Sequence, residues 1–163
     1  MTDTELLAWE KEVIGFFAKG AQVLGFPRSV GQLYGLLYCR EDPLCLDDVV
    51  SLLGISKGSA SQGLSQLRQL GAISLIPREG VRRDFYRAEV KIKRILSGFL
   101  HNKLLPQLEE GQSRIRATAD QLSGEGLTPE QLAYARDRLK LLEAWRTQIH
   151  RVLPLAIAIL GKR

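Results

Sequence analysis

Short hydrogen-bonding and basic side chains follow one another at helical spacing between residues 56 and 68. In a helix, Ser61, Gln62 and Ser65 lie on one side, away from the apolar residues of the same run. In the major groove of DNA, Gln pairs with adenine and Ser with several bases. This face is therefore predicted to read base edges of double-stranded DNA. The residues of this recognition helix predicted to contact DNA are Ser56, Lys57, Gly58, Ser59, Ser61, Gln62, Ser65 and Arg68.

A helix-turn-helix must position that face. Residues 46–53 form an amphipathic run, and Gly54 supplies the positive φ angle that ends a helix and turns the chain. Ser56 fits the N-cap of the second helix, whose inward side continues with Ala60, Gly63, Leu64 and Leu67. A helical hairpin with a merely solvated face is the alternative. Gly58 and Gly63 favour the first interpretation, because each costs a helix about 1 kcal/mol relative to Ala.

A β-hairpin is predicted directly after the recognition helix. Apolar residues alternate after Gly71, an extended pattern resumes over residues 85–88, and a basic loop with Gly80 joins the two. A hairpin in this place is the wing of a winged helix, and arginines at its tip can reach phosphates or the minor groove. The wing residues predicted to contact DNA are Arg78, Arg82 and Arg83, and Asp84 is expected to orient one of them. A solvated turn is the alternative.

The positive charge of the chain is concentrated around these two features. Among 163 residues there are 23 Lys or Arg and 18 Asp or Glu, a net charge of +5. Residues 54–94 hold nine Lys or Arg against three acids, a local excess that favours a polyanionic partner. The sequence offers no nucleophile–base pair, paired carboxylates, phosphate loop or metal-ligand cluster. We therefore expect neither an enzyme nor a cofactor or metal.

The two cysteines and the hydrophobic profile limit the cellular context. Cys39 and Cys45 lack a CxxC spacing, and they fit two small buried hydrophobes better than a redox switch. The sequence has no signal peptide and no apolar run of about 20 residues. We expect a cytoplasmic protein.

Helices are predicted to flank the winged helix on both sides. Before it, apolar residues recur at Leu6, Trp9, Val13, Phe16 or Phe17, Gly20 and Leu24. A helix over residues 28–39 follows, in which Gly31 and Gly35 allow a close crossing and Arg28 is a possible contact to the DNA backbone. Pro106 is expected to kink or end a helix that follows the wing.

The last helix is predicted to form a dimer interface. Thr128 caps it, Pro129 occupies its first position, and its apolar residues step by three and four, close to a heptad seam. The residues predicted to lie in the interface are Leu139, Leu142, Trp145, Ile149, Val152, Leu153, Ala156, Ile157 and Leu160. The predicted organisation is a supporting or dimerisation helix (1–24), a winged helix-turn-helix (25–94) and a helical dimerisation region (95–163). The fold class is mainly α with a small β-hairpin.

Three segments resemble the GbsR branch of the MarR-type winged-helix regulators. They are Phe26-Pro27-Arg28-Ser29 with Gly31 and Tyr34-Gly35-Leu36-Leu37, the run G-I-S-K-G-S-A-S-Q-G-L from residue 54, and Arg82-Arg83-Asp84-Phe85-Tyr86. The resemblance covers about two-thirds of the chain. It implies a bacterial or archaeal homodimer that binds operator DNA and changes affinity when a small molecule binds. Gln32 and Val81 depart from the pattern, which has an Arg and often a polar residue there.

The ligand of such a regulator is left open by the sequence. The branch takes its name from regulators of glycine betaine metabolism, and a quaternary ammonium ligand requires an aromatic cage. The candidate aromatic residues fit helix cores and a dimer interface equally well: Trp9, Phe16, Phe17, Phe99, Tyr134 and Trp145.

The resulting hypothesis is a homodimeric, sequence-specific repressor of the winged helix-turn-helix class that binds a pseudo-palindromic operator under the control of a small-molecule effector. A winged-helix protein interaction module and a non-specific architectural DNA-binding protein are the alternatives.

Overall fold

Over residues 5–124 and 126–161, which the computed structural model describes, the chain forms seven α-helices and three short strands. In chain order they are α1 (Ala8–Val23), α2 (Arg28–Cys39), β1 (Leu44–Cys45), α3 (Leu46–Leu53), α4 (Lys57–Gln69), β2 (Ile73–Ile76), β3 (Phe85–Ala88), α5 (Ile92–Phe99), α6 (Leu105–Gln121) and α7 (Pro129–Gly161). The chain divides into two compact units, Met1–Gly98 and Phe99–Arg163. The predicted class, mainly helical with a small β wing, is confirmed.

Helices α3 and α4 form the predicted helix-turn-helix. Gly54 ends α3 with a φ of 63°, in the left-handed region that glycine adopts without strain. The Oγ atom of Ser56 accepts a hydrogen bond from the Ser59 N–H (3.2 Å), so Ser56 is the N-cap of α4. The predicted inward residues of α4 are all buried: Ala60, Gly63, Leu64 and Leu67.

Close helix crossings hold α4 and α1 against α2. A Cβ atom at Gly63 would overlap the Cδ1 atom of Leu33 on α2, so a larger residue there would require the Leu33 side chain to shift. On the other side of α2, a Cβ atom at Gly35 would lie 2.8 Å from the Cα atom of Ile14 on α1. At Gly58 a Cβ atom would meet nothing within 4 Å, so packing does not explain this glycine.

Helix α1 buries a different side from the one its apolar periodicity indicates. Trp9 and Phe16 are exposed, whereas Glu10, Ile14 and Ala18 are buried. Because α1 is apolar on more than one side, periodicity alone cannot tell which side α2 covers. The apolar residues that α2 leaves uncovered, such as Trp9, lie about 100° around α1 from the buried side that contains Glu10.

The buried charge on α1 has a partner at the end of α2. Glu10 is 2% exposed, and its Oε1 atom lies 2.9 Å from Nε of Arg40. Arg40 also donates from Nη2 to the other carboxylate oxygen of Glu10 (3.1 Å). That oxygen accepts the Leu7 N–H as well (2.8 Å), which caps α1. Because it is paired, the Glu10 carboxylate can be buried on a side of α1 that the apolar periodicity does not indicate.

The wing belongs to a three-stranded antiparallel sheet of order β1-β3-β2. The hairpin pairs Ile73 with Ala88 and Ile76 with Phe85, as predicted from the alternation. Strand β1 is not predicted from the sequence, because two residues are too short to show a period of two. At the base of the wing, the Tyr34 hydroxyl donates to the carbonyl oxygen of Glu89 (2.7 Å). This hydrogen bond fastens the end of the wing to α2.

In the second unit, α6 and α7 pack against each other. The chain does not break at Pro106: a π-helical turn (Leu100–Leu104) precedes α6, and Pro106 lies in the first turn of α6. The wider turn accommodates a residue that has no N–H and whose ring crowds the preceding turn. A 3₁₀ turn (Leu122–Gly124) ends α6, and Thr128 caps α7 by accepting the Gln131 N–H (3.3 Å), as predicted.

Candidate nucleic-acid interface

The outward face of α4 is polar and uncovered. Ser61, Gln62 and Ser65 are exposed, as are Lys57 and Gly58 in the first turn and Arg68 toward the helix end, whereas Ser59 is half-buried. The buried residues of α4 fix this orientation, since its apolar side faces α2 and α3. The predicted recognition residues therefore lie on one accessible surface, apart from the partial burial of Ser59.

Ser56 has a structural role that can be separated from any contact with DNA. Replacing Ser56 by Ala is expected to lower the free energy of unfolding by about 1 kcal/mol, because α4 loses its N-cap. Ser56→Asp is expected to restore that stability, since Asp is an equally good cap, while its charge repels DNA. Urea denaturation combined with DNA-binding titration checks both effects. Equal stability of the wild-type and Ser56→Ala proteins would contradict the capping role.

The wing presents its three arginines differently. Arg82 and Arg83 are exposed in the loop. The Arg78 guanidinium lies over the Phe85 ring, 4.2 Å from its centroid, so this cation is partly engaged by a cation–π contact. Among the described residues, Asp84 forms no ion pair within 4.0 Å, so the prediction that it orients an arginine is wrong. The acid that faces Arg83 is Asp47 in the first turn of α3, 3.7 Å away.

Asp47 also contacts the recognition helix. Its Oδ1 atom accepts a hydrogen bond from the Lys57 ammonium group at 3.1 Å. One carboxylate therefore faces a cation of α4 and a cation of the wing. Sequence reasoning missed it because its two partners come from separate parts of the fold: the turn between α3 and α4 brings Lys57 to Asp47, and the return of the wing brings Arg83.

Arg28 is exposed at the first position of α2. Pro27 precedes it as the N-cap, and α2 begins at Arg28 as predicted. Arg28 remains a predicted contact to the DNA backbone.

An apolar stripe runs along the exposed side of α7. Trp145 is 63% exposed and Val152 62%, and the stripe continues through Tyr134, Leu141, Leu142, Ile149, Leu155 and Ile159. These positions repeat at intervals of three, four and seven, which is the spacing of a helix seam that packs against another helix. A set of large exposed hydrophobic residues on one helix indicates an interaction surface.

Several of the predicted interface residues are wholly or partly buried within the single chain. Leu153 is 4% exposed within the single chain, because it points about 100° away from its exposed neighbour Val152. Leu139 lies in the groove between α6 and α7 beside Ile115. Ala156 and Ile157 are half-buried, and the side chain of Leu160 lies outside the described residues.

Some aromatic residues of the first unit form a cluster between α1 and α2. Phe17 packs edge-on against Tyr34, with ring centroids 4.7 Å apart, and Tyr38 lies 5.3 Å from Phe17. Burial, together with Tyr38 and Glu89, raises the pKa of Tyr34 to about 12. Tyr34 and Tyr38 are absent from the aromatic set proposed from the sequence, in which Trp9, Phe16, Tyr134 and Trp145 are exposed.

Both cysteine thiols are free, with Cys45 buried and Cys39 half-buried. Burial and the nearby Glu10 carboxylate raise the pKa of the Cys39 thiol, against the opposing effect of Arg40. This lowers the population of the reactive thiolate at neutral pH. No helix within residues 5–124 and 126–161 combines the length and apolar character needed to cross a membrane.

Taken together, the α3–α4 pair, the hairpin that follows it and the helix that precedes it define a winged helix-turn-helix protein. No protein-family profile matches the chain. The chain is 26% identical over 140 residues to the HTH-type transcriptional repressor OpcR of Bacillus subtilis (strain 168), covering 83% of this chain and 76% of OpcR. It is 33% identical over 91 residues to the HTH-type transcriptional repressor GbsR of the same organism, a match that spans 56% of this chain and half of GbsR.

A solved structure described as a transcriptional regulator has the same fold. It superimposes with a TM-score of 0.72 at 19% identity and covers 94% of this chain and 99% of its own. The relatives confirm the resemblance to GbsR/MarR-type regulators. They indicate a transcriptional regulator or repressor of the HTH type.

Proposed function

We propose that the protein is a homodimeric repressor that binds a pseudo-palindromic operator in double-stranded DNA. The observation that carries this proposal is the exposed hydrogen-bonding face of α4, flanked by the exposed side chains of Arg82 and Arg83 on the wing. The exposed side of α4 would enter the major groove, where Ser61, Gln62 and Ser65 would read base edges. Lys57, Arg68 and the wing arginines would bind phosphates. Two relatives, OpcR and GbsR, are named as repressors, which supports repression rather than activation.

Each part of the chain has a role in this proposal. Residues 25–94 would form the DNA-binding domain, with Arg28 and Arg78 as further backbone contacts. Residues 1–24 and 95–163 would hold the dimer together through the exposed apolar stripes of α1 and α7. A two-fold dimer presents two recognition helices, so its operator has two half-sites centred about 10 bp apart or a multiple of that spacing.

Selection of bound sequences from a random double-stranded DNA pool at about 0.15 M salt tests the proposal, since this ionic strength already weakens non-specific phosphate binding. We expect one palindrome to be enriched. If the folded protein enriches no sequence, the protein is an architectural DNA-binding protein or an interaction module instead.

The recognition helix and the wing are expected to respond differently to mutation. Gln62→Ala should relax the base preference at one operator position and cost about 1–3 kcal/mol of binding free energy at that site only. Arg82→Ala or Arg83→Ala should weaken binding to all sequences alike and reduce the salt slope by about 1. Titration of each variant against the operator and its single-base variants separates the two effects. Uniform losses from Gln62→Ala would contradict base reading by α4.

An effector would act by population shift. A small molecule can bind one arrangement of the two DNA-binding domains better than another. If its binding free energies for the two arrangements differ by about 1.4 kcal/mol, the operator affinity changes up to tenfold. Operator titration with and without a panel of small metabolites, including quaternary ammonium compounds and organic acids, tests this. A protein whose affinity no compound alters would be a constitutive regulator.

A further inference from the structure

Asp47 lies between the two predicted DNA-contacting elements. Its Oδ1 atom is 3.1 Å from Nζ of Lys57 on α4, and its Oδ2 atom is 3.7 Å from Nη1 of Arg83 on the wing. All three side chains are more than half exposed, at 55% for Asp47, 69% for Lys57 and 66% for Arg83. One carboxylate thus faces both cations, and all three groups are accessible to solvent.

The helix that carries Asp47 does not depend on this carboxylate for its N-terminal cap. The N-terminus of α3 is capped by its neighbour Asp48, whose Oδ2 atom accepts the Cys45 N–H at 2.9 Å. Ion pairs as exposed as these contribute little to folding, because water screens the charges and holding two long side chains costs entropy. As an acid in the first turn of α3, Asp47 favours the helix dipole by no more than about 1 kcal/mol, and this effect does not require the two cations.

We propose that Asp47 is an internal competitor of DNA phosphate that holds Lys57 and Arg83 in ion pairs when no DNA is bound. This inference rests on the proposed function, in which both cations contact DNA. A phosphate oxygen and a carboxylate oxygen are equivalent acceptors for an ammonium or guanidinium donor. DNA binding must therefore exchange the carboxylate for phosphates, and the affinity for every sequence is reduced by the strength of the two ion pairs.

The competition acts on the phosphate contacts and leaves base reading intact. Phosphate contacts supply nearly all of the affinity for non-specific DNA, so reducing them limits retention on non-operator sequences. Base contacts by Gln62 and its neighbours are unaffected, and operator binding keeps that contribution. Asp47 is in this sense a residue that sets the affinity of the interface without touching the bases.

The test is a titration of operator and scrambled duplexes by fluorescence anisotropy at several salt concentrations. Asp47→Asn keeps the shape of the side chain and removes its charge. We expect it to bind both duplexes about three- to tenfold more tightly, because the exposed ion pairs it removes are worth a factor of this size. Its salt dependence should be steeper by about one to two units of slope, since two more cations are free for phosphate.

A matched control removes an acid that does not face these cations. Glu79→Gln changes the net charge by the same amount from an exposed position in the wing loop. Both substitutions are also made in a Lys57→Gln/Arg83→Gln background. If Asp47 acts through these cations, the gain from Asp47→Asn disappears in that background, whereas any effect of Glu79→Gln is the same in both backgrounds.

The outcomes separate this inference from the proposed function. A gain from Asp47→Asn that persists without Lys57 and Arg83 shows simple repulsion of DNA and overturns the inference, as does an affinity that is unchanged or lower. In each of these cases wild-type binding to the operator leaves the proposed function standing. If the wild-type protein binds neither duplex, the proposed function fails, and the inference fails with it.

Discussion

Replacing Gly31 by alanine is expected to destabilise the first unit by about 3 kcal/mol, the upper end of the range for overpacking a core. A Cβ atom at this position would overlap the backbone carbonyl of Phe17 on α1 and lie 2.7 Å from the Cα atom of Ala18. A side chain could rotate away, but these are backbone atoms. The overlap is relieved only if α1 and α2 move apart, which loosens the contacts of Ile14 and Tyr34 in the core.

The measurement is urea denaturation followed by the fluorescence of Trp9 on α1. A Trp145→Phe background removes the only other tryptophan, so the signal reports the first unit. Gly15→Ala on α1 is the matched control, because a Cβ atom there would meet nothing within 4 Å. It should stabilise the helix by up to about 1 kcal/mol. If Gly31→Ala were as stable as Gly15→Ala, the two helices would not depend on this close approach.

The turn and the wing could be predicted because their signals are local. Gly54 ends α3, Ser56 caps α4, and the alternation around Ile73 and Phe85 marks the strands. Each signal depends on a few neighbouring residues whose backbone geometry is restricted to a small set of conformations. The boundaries of α2 and the cap of α7 were predictable for the same reason.

Features that depend on distant parts of the chain could not be predicted. The spacing of Gly31 and Gly35 indicates a close crossing but does not identify α1 as the partner. Glu10 is a charged residue on an apolar helix, and its burial is possible only because Arg40 arrives at the end of α2. Asp47 likewise acquires its partners from the fold.

The two glycines of α4 have different surroundings. Gly63 lies against another helix, whereas Gly58, predicted to lie on the outward face, faces open space. On the proposed interface, Gly58 occupies the first turn of the recognition helix, where a missing side chain leaves room for DNA. The structure supplies no packing reason for it.

Trp145→Asp is expected to convert the protein to a monomer and to lower operator affinity by at least about 100-fold, the low end of what is lost when two linked binding events become one. Trp145 lies in the middle of the exposed apolar stripe of α7, between Leu141 and Ile149. In a two-fold interface the substitution places two carboxylates in an apolar contact, where each must be desolvated without a partner. The lone DNA-binding domain would retain only its half-site affinity.

Ala144→Asp is the matched control, because it adds the same charge to an exposed position next to Trp145 but about 100° around the helix. It should remain dimeric and bind the operator as the wild type does. Sedimentation velocity gives the oligomeric state, anisotropy titration gives the affinity, and circular dichroism verifies that both variants are folded. A folded Trp145→Asp protein that is still dimeric would show that the dimer interface lies on another surface. The exposed apolar stripe of α1 would be the next candidate. A monomeric Trp145→Asp protein with undiminished operator affinity would instead show that one DNA-binding domain is enough for full operator binding. The operator would then not need to be palindromic.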